Sequence, residues 1–264
     1  MNRISFILLF ILLQFSANSF ADMKLAIIVD EDGYTNIRSN KGSNNDIVGQ
    51  VKTSEFIYCE KSTNDWYSVD ALQWNRSGES VKGYIHKSRI RIIEDLDFSE
   101  QRKIFSNIFI EYKKINDEMN NFIESVKTAD KHFGNEKDSI KVMRFSENGS
   151  KYSDTRYDPI LMIFPQYFCK TKDLETLDLL LKTIWSNRSS ANEQPSYTLG
   201  ECYLCNEKGF LNLLSKITNK EKLSLIIGDI IWGLCNHFGV DPESDKITNK
   251  EYSRLLKQLN AINK

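Results

Sequence analysis

GYTNIRS, residues 33–39, followed by IVGQV at 47–51, is the stretch whose reading decides the fold. A glycine opens it, and one aliphatic residue, Ile37, stands among polar neighbours. A polar loop then leads to a short apolar run around Gly49. Short strands read this way when each buries one face and turns sharply at its end. The pattern extends in both directions. LAIIV (25–29) precedes it, and FIYCE (56–60), WYSV (66–69), GYIH (83–86) and RIRII (89–93) follow. Each run carries β-branched or aromatic residues, with Ser, Asn, Asp or Gly between runs. In FIYCE, Phe56 and Tyr58 share one face while Ile57 and Cys59 share the other. Short strands at this spacing predict a small barrel, closed because open sheet edges invite aggregation.

Taken in order, GYTNIRS, IVGQV, WYSV and GYIHKSRI resemble the bacterial SH3 domain over residues 25–93. That family usually runs Asn-Val/Ile-Arg-Ser, a polar loop, an apolar-Gly-apolar step, Trp-x-x-Val and Gly-aromatic-Val/Ile-His. Three departures stand out. NKGSNND (40–46) replaces the usual Gly-Pro, KTSE (52–55) lacks the common turn glycine, and DALQWNRSGESVK (70–82) fills what is mostly a much shorter hairpin. The resemblance implies an SH3-like β-barrel over residues 22–95 that binds a cell-wall peptide or a protein.

Within that frame, Gly33 is the turn residue that tolerates positive φ. Ile37, Val48, Val51, Val69 and Ile85 are expected to fill the barrel. Asn36 is expected to bond neighbouring backbone groups, and Arg38 to pair with a nearby carboxylate. The candidate ligand-binding residues are Tyr34, Trp66, Trp74, Arg76 and Tyr84, because aromatics with a polar tip suit recognition surfaces. The competing reading makes Trp66 and Tyr84 half-buried barrel residues. Trp74 and Arg76 sit in the inserted stretch and belong to types enriched in binding hot spots. The alternative for Trp74 is that it folds back onto the barrel.

The first residues, MNRISFILLFILLQFSANSFA (1–21), fit a secretory signal peptide. Arg3 supplies the basic start, Ile4 to Leu13 a short apolar core, and Ser19 and Ala21 the small residues of a cleavage site. The apolar stretch falls short of the roughly 20 residues that span a bilayer, so no membrane insertion is expected after cleavage. The chain carries 35 basic and 36 acidic residues, and loss of Arg3 leaves 34 against 36. That near-neutral balance argues against nucleic acid as a partner, whose phosphates reward clustered Lys and Arg. The expected location is extracytoplasmic, in the periplasm.

After Ile93 the period changes. Phe98, Phe105, Ile108, Tyr112, Ile115, Met119, Phe122 and Val126 recur at helical spacing, with Asp97 as N-cap and Glu100 completing a capping-box-like pair. The seam serves either packing within this domain or a coiled-coil dimer. Residues 134–158 are polar and read as mostly irregular. Further helices are expected at 159–170, 173–187, 195–207, 209–217, 220–238 and 250–262, so residues 96–264 form an all-α domain with a long first helix. Paired helices with short turns loosely resemble HEAT or armadillo folds. KITNKE occurs at 216–221 and again at 246–251, which places N-caps at Thr218 and Thr248. The fold class is therefore α+β in two domains.

Catalytic patterns are scarce. None of the five cysteines lies in the Asp-Cys-Ser-Gly turn of wall peptidases, and the three histidines form no His-Glu-x-x-His motif. No nucleophile elbow or phosphate loop occurs. A carboxylate pair leaves no local signature, so a cell-wall hydrolase in the helical half stays open as a rival. Cys202, Cys205, Cys235 and His237 have donor types suited to zinc. An exported chain oxidises its cysteines, however, and Cys169, Cys202, Cys205 and Cys235 are the disulfide candidates. The alternative is that some of them are small core residues, and Cys59, in a strand, reads as packing. No metal or cofactor is assigned. The expectation is a non-catalytic binding protein, with a periplasmic immunity or inhibitor protein as the other alternative.

Overall fold

The alternating runs form strands because each puts its apolar residues on one side of the pleat. The structure is a computed structural model and describes residues 23–62, 64–71, 80–128, 136–186, 192–241 and 249–262. The chain divides after Leu96 into two compact units. The first is a seven-stranded antiparallel sheet, and the second is helical. The expected signal peptide at 1–21 lies outside the described residues.

The strands are β1 (Met23–Ile28), β2 (Tyr34–Arg38), β3 (Ile47–Lys52), β4 (Phe56–Glu60), β5 (Trp66–Ala71), β6 (Val81–His86) and β7 (Ile90–Ile92). Their order in the sheet is β3-β2-β6-β5-β4-β1-β7. One core draws on all seven: Ala26 and Ile28, Ile37, Val51, Ile57 and Cys59, Val69 and Ala71, Ile85, then Ile90 and Ile92. Burial pushes the Cys59 thiol pKa up to about 12, as suits a packing residue.

Val48 corrects the expected core. It is 45% exposed, because β3 is an edge strand and the β2–β3 register shifts between Ile37 and Arg38. Arg38 differs too. Its Nη1 donates to the Asn45 carbonyl at 2.8 Å and so secures the loop between β2 and β3. Asn36 accepts from Gln50 Nε2 at 2.9 Å across the two strands, a side-chain partner where a backbone one was expected.

The helical unit runs α1 (Phe98–Thr128), α2 (Glu136–Tyr152), a π-helical turn (Ser153–Tyr157), α3 (Asp158–Thr171), α4 (Leu174–Ser186), α5 (Gln194–Cys205), α6 (Glu207–Leu214), α7 (Lys220–Phe238) and α8 (Lys250–Ile262). Asp97 caps α1, its Oδ1 accepting the Glu100 amide at 2.9 Å. The α1 seam packs inside this unit: Phe105 meets Phe164 of α3 edge-on at 5.4 Å, and Tyr112 stacks on Tyr152 of α2 at 5.8 Å. Among the described residues no helix is long and apolar enough to cross a membrane.

Helix α2 overturns the expectation of an irregular 134–158. Its sequence is polar, but Val142, Phe145, Gly149 and Tyr152 fall on one helical face, and that face is the less exposed one. Phe145 meets Phe122 of α1 at 5.7 Å, and Lys141 Nζ lies 4.3 Å from the Phe122 ring centre.

The cap of α7 is Asn219, whose Oδ1 accepts the Lys222 amide at 2.9 Å. Thr218, expected in that role, stands one residue too early. Asn249 does the same for α8 through the Tyr252 amide at 3.0 Å, while Thr248 lies outside the described residues. Asn also ranks above Thr as a cap residue. Asn219→Ala should therefore cost about 1 kcal/mol in urea unfolding, whereas Thr218→Ala should stay within about 0.5 kcal/mol. Equal losses at the two positions would count against Asn219 as the cap.

Candidate functional site

The sheet unit carries a surface groove of about 600 Å³ at the start of β2. The turn before β2 builds one wall. Asp30 Oδ1 accepts the Asp32 amide at 3.1 Å and Arg89 Nη1 at 2.7 Å. Its carbonyl accepts from Thr53 Oγ1 at 2.6 Å and from the Gly33 amide at 3.2 Å. Gly33 sits at φ +83°, where a side chain would be strained. These bonds fix the entry of β2 and hold out Tyr34, which is 45% exposed.

The opposite wall comes from pairing. Trp66 of β5 lies directly across from His86 of β6, and their rings meet edge-on at 5.5 Å. His86 Nδ1 accepts the Ser88 amide at 3.3 Å and so caps the short turn into β7. Next to Trp66, Asp65 and Lys87 pair at 2.7 Å in the open, and the Lys87 hydrogen bond lowers the Asp65 pKa. The groove thus presents two aromatics with Arg38, Arg89 and Asp32 around them, over the buried Asp30 carboxylate. Flat apolar faces flanked by both signs of charge suit an extended chain carrying both signs itself.

Of the expected binding residues, the groove brings Tyr34 and Trp66 together. Tyr84 does not line it. It pairs with Arg38 across β2 and β6 and takes Lys41 Nζ 5.8 Å from its ring centre. Trp74 and Arg76 lie outside the described residues. Sequence reasoning missed Asp30, Arg89 and the structural use of His86. The DEDG run at 30–33 is a turn signature that pointed to Asp30. Its partner Arg89 is 59 positions away, so no local pattern reveals the pair.

The four candidate cysteines divide between a bridge and the core. Cys169 and Cys205 are disulfide-bonded, with Cα atoms 5.1 Å apart. Cys202 and Cys235, the other two candidates, are buried thiols, as is Cys59. The bridge splits Cys202 from Cys205 as a metal pair. Cys235 Sγ instead meets the Tyr252 hydroxyl at 3.1 Å, and His237 Nδ1 meets Glu201 at 2.7 Å.

Compared with known proteins, the chain matches no family model, no curated protein and no solved structure.

Proposed function

We propose that this chain is an exported binding protein of the periplasm. Its sheet unit would be an SH3-like barrel whose groove between Tyr34 and Trp66 receives a cell-wall peptide or a protein partner. The barrel reading draws support from the shared core. Edge strands β3 and β7 both send side chains into it, which calls for a sheet curled on itself. Export draws support from the Cys169–Cys205 bridge, since disulfides persist in oxidising compartments.

The observation that carries the functional reading is the groove itself. Two of its polar groups are committed to architecture: Asp30 to Arg89, and His86 to a turn amide. What remains toward solvent is aromatic surface with charge on either side, which is equipment for recognition. A second reading, an inhibitor acting through the helical unit, is favoured by Leu225 and Trp232. Both are exposed, seven positions apart on α7.

The test is sedimentation with purified peptidoglycan sacculi, alongside pull-down from periplasmic extract. Tyr34→Ala should keep stability within about 0.5 kcal/mol yet weaken capture by about 2 kcal/mol, roughly thirtyfold. Capture that Tyr34→Ala and Trp66→Ala both leave unchanged would place the contact elsewhere and end the groove reading.

A further inference from the structure

The helical unit holds a separate cleft of about 400 Å³ with a mixed polar and apolar lining, from α1, α2, the π-helical turn and the start of α3. Tyr112 and Asn116 come from α1, Ser153 and Asp154 from the turn, Asp158 from α3, and Asn192 from the segment before α5. We propose that this cleft binds a small polyhydroxylated molecule, neutral or cationic, of the sugar or amino-sugar class. In it, Asn116 donates to the ligand and Asp158 accepts from it.

Asn116 points to a ligand most directly. The residue is 3% exposed, and its Nδ2 has no hydrogen-bond partner among the described residues. Burial raises the Tyr112 phenol pKa, and Ser153 and Asn116 beside it lower it in turn. The phenol's own proton goes to Ser153 Oγ at 3.1 Å, and the Asn116 side chain lies beside the phenol with its Nδ2 making no well-formed hydrogen bond among the described residues. Buried donors are almost always satisfied in folded proteins, and an unsatisfied one facing a cavity marks a place where an acceptor belongs.

The rest of the cleft offers acceptors. Asp158 Oδ1 takes Asn192 Nδ2 at 2.7 Å, and both its oxygens lie 3.3 Å from Ser153 Oγ. A carboxylate has about four lone-pair sites, so these bonds leave room for a ligand donor. Burial lifts the Asp158 pKa, a penalty that a hydroxyl or ammonium group would relieve. Asp154 adds a second carboxylate to the lining, which disfavours anions. An apolar molecule would leave the Asn116 donor stranded. A ligand that presents an acceptor beside several donors, with no negative charge, satisfies every group. A sugar hydroxyl is both at once.

Two further features agree. The volume sits at the small end of the range for small-molecule pockets. The π-helical turn that supplies Ser153 and Asp154 is a rare conformation, found often at functional sites.

The experiment is an NMR titration of the full-length mature protein with glucose, glucosamine and, as an anionic control, glucuronate. Glucosamine and glucose should bind saturably on the order of 1 mM, with shifts centred on Asn116 and Ser153, and glucuronate more weakly. Asn116→Leu should weaken both sugars by roughly tenfold or more. Asp158→Asn should weaken glucosamine more than glucose. If Asn116→Leu does not fold, Asp154→Asn, on an exposed position, replaces it and should lower glucosamine binding selectively. No saturable shift with either sugar on the wild-type protein overturns the proposal. So does binding that the folded variants leave unaltered.

Discussion

Gly233→Ala should destabilise the helical unit by about 3 kcal/mol or more, although alanine is the better helix former by about 1 kcal/mol. The reason lies where α5 crosses α7. A Cβ on Gly233 would stand 2.1 Å from the Ser196 carbonyl oxygen and 2.9 Å from its carbon, and a Cβ on Gly200 would stand 2.7 Å from the Gly233 carbonyl carbon. These neighbours are backbone, so no side chain can swing aside. Relief requires the helices to part, which stretches the 3.0 Å bond from Ser196 Oγ to Asp229. It also opens the packing around Leu199, Ile230 and Leu234, all buried. The same helix contains its own control. A Cβ on Gly228 meets nothing within 4 Å. Gly228→Ala should therefore stabilise by about 0.5–1 kcal/mol through propensity and the unfolded state. Urea unfolding followed at 222 nm separates the two. Matching stabilities for the two variants would mean the helices do not cross at Gly233.

That crossing was invisible in the sequence, and the contrast with what was visible is physical. Strands and helices announce themselves through local periodicity, so LAIIV, FIYCE and the α1 seam could be read residue by residue. Helix α2 could have been read the same way. Val142, Phe145, Gly149 and Tyr152 keep helical spacing, but few apolar residues mark it and α1 covers the face they form. Caps fall to whichever side chain reaches the free amides, and Asn219 outcompetes its neighbour Thr218. The groove was half legible. Tyr34 and Trp66 stood out as aromatics near turns, whereas the Asp30–Arg89 pair depends on tertiary closure between distant segments. Val48 shows the opposite failure. Its apolar character suggested burial, but a register shift at an edge strand turned it outward.

Cysteine pairing is a tertiary fact as well, and it carries the second large effect. Reducing the Cys169–Cys205 bridge should cost about 3–4 kcal/mol of stability, the chain-entropy value for a closed loop of this size. The two residues lie 36 positions apart and tie the last turn of α3 to the last residue of α5. Lys172 reinforces the junction: it ends α3 in the left-handed conformation, and its Nζ donates to the Cys205 carbonyl at 2.6 Å. The bridged residues are only half-buried, so a thiol reductant should reach them in the folded protein. The three remaining cysteines should not react there. Burial holds the Cys59 thiol at a pKa of about 12 and raises that of Cys202 well above its ordinary value, while Cys235 is buried against Tyr252. Thiol counting therefore has a definite expected series. The native oxidised protein should label slowly. Denaturation without reductant should expose three of the five cysteines, and denaturation with reductant all five. Cys169→Ser with Cys205→Ser should reproduce the stability loss without any reductant. Five thiols in the denatured, unreduced protein would remove the bridge, and with it the main support for an oxidising compartment.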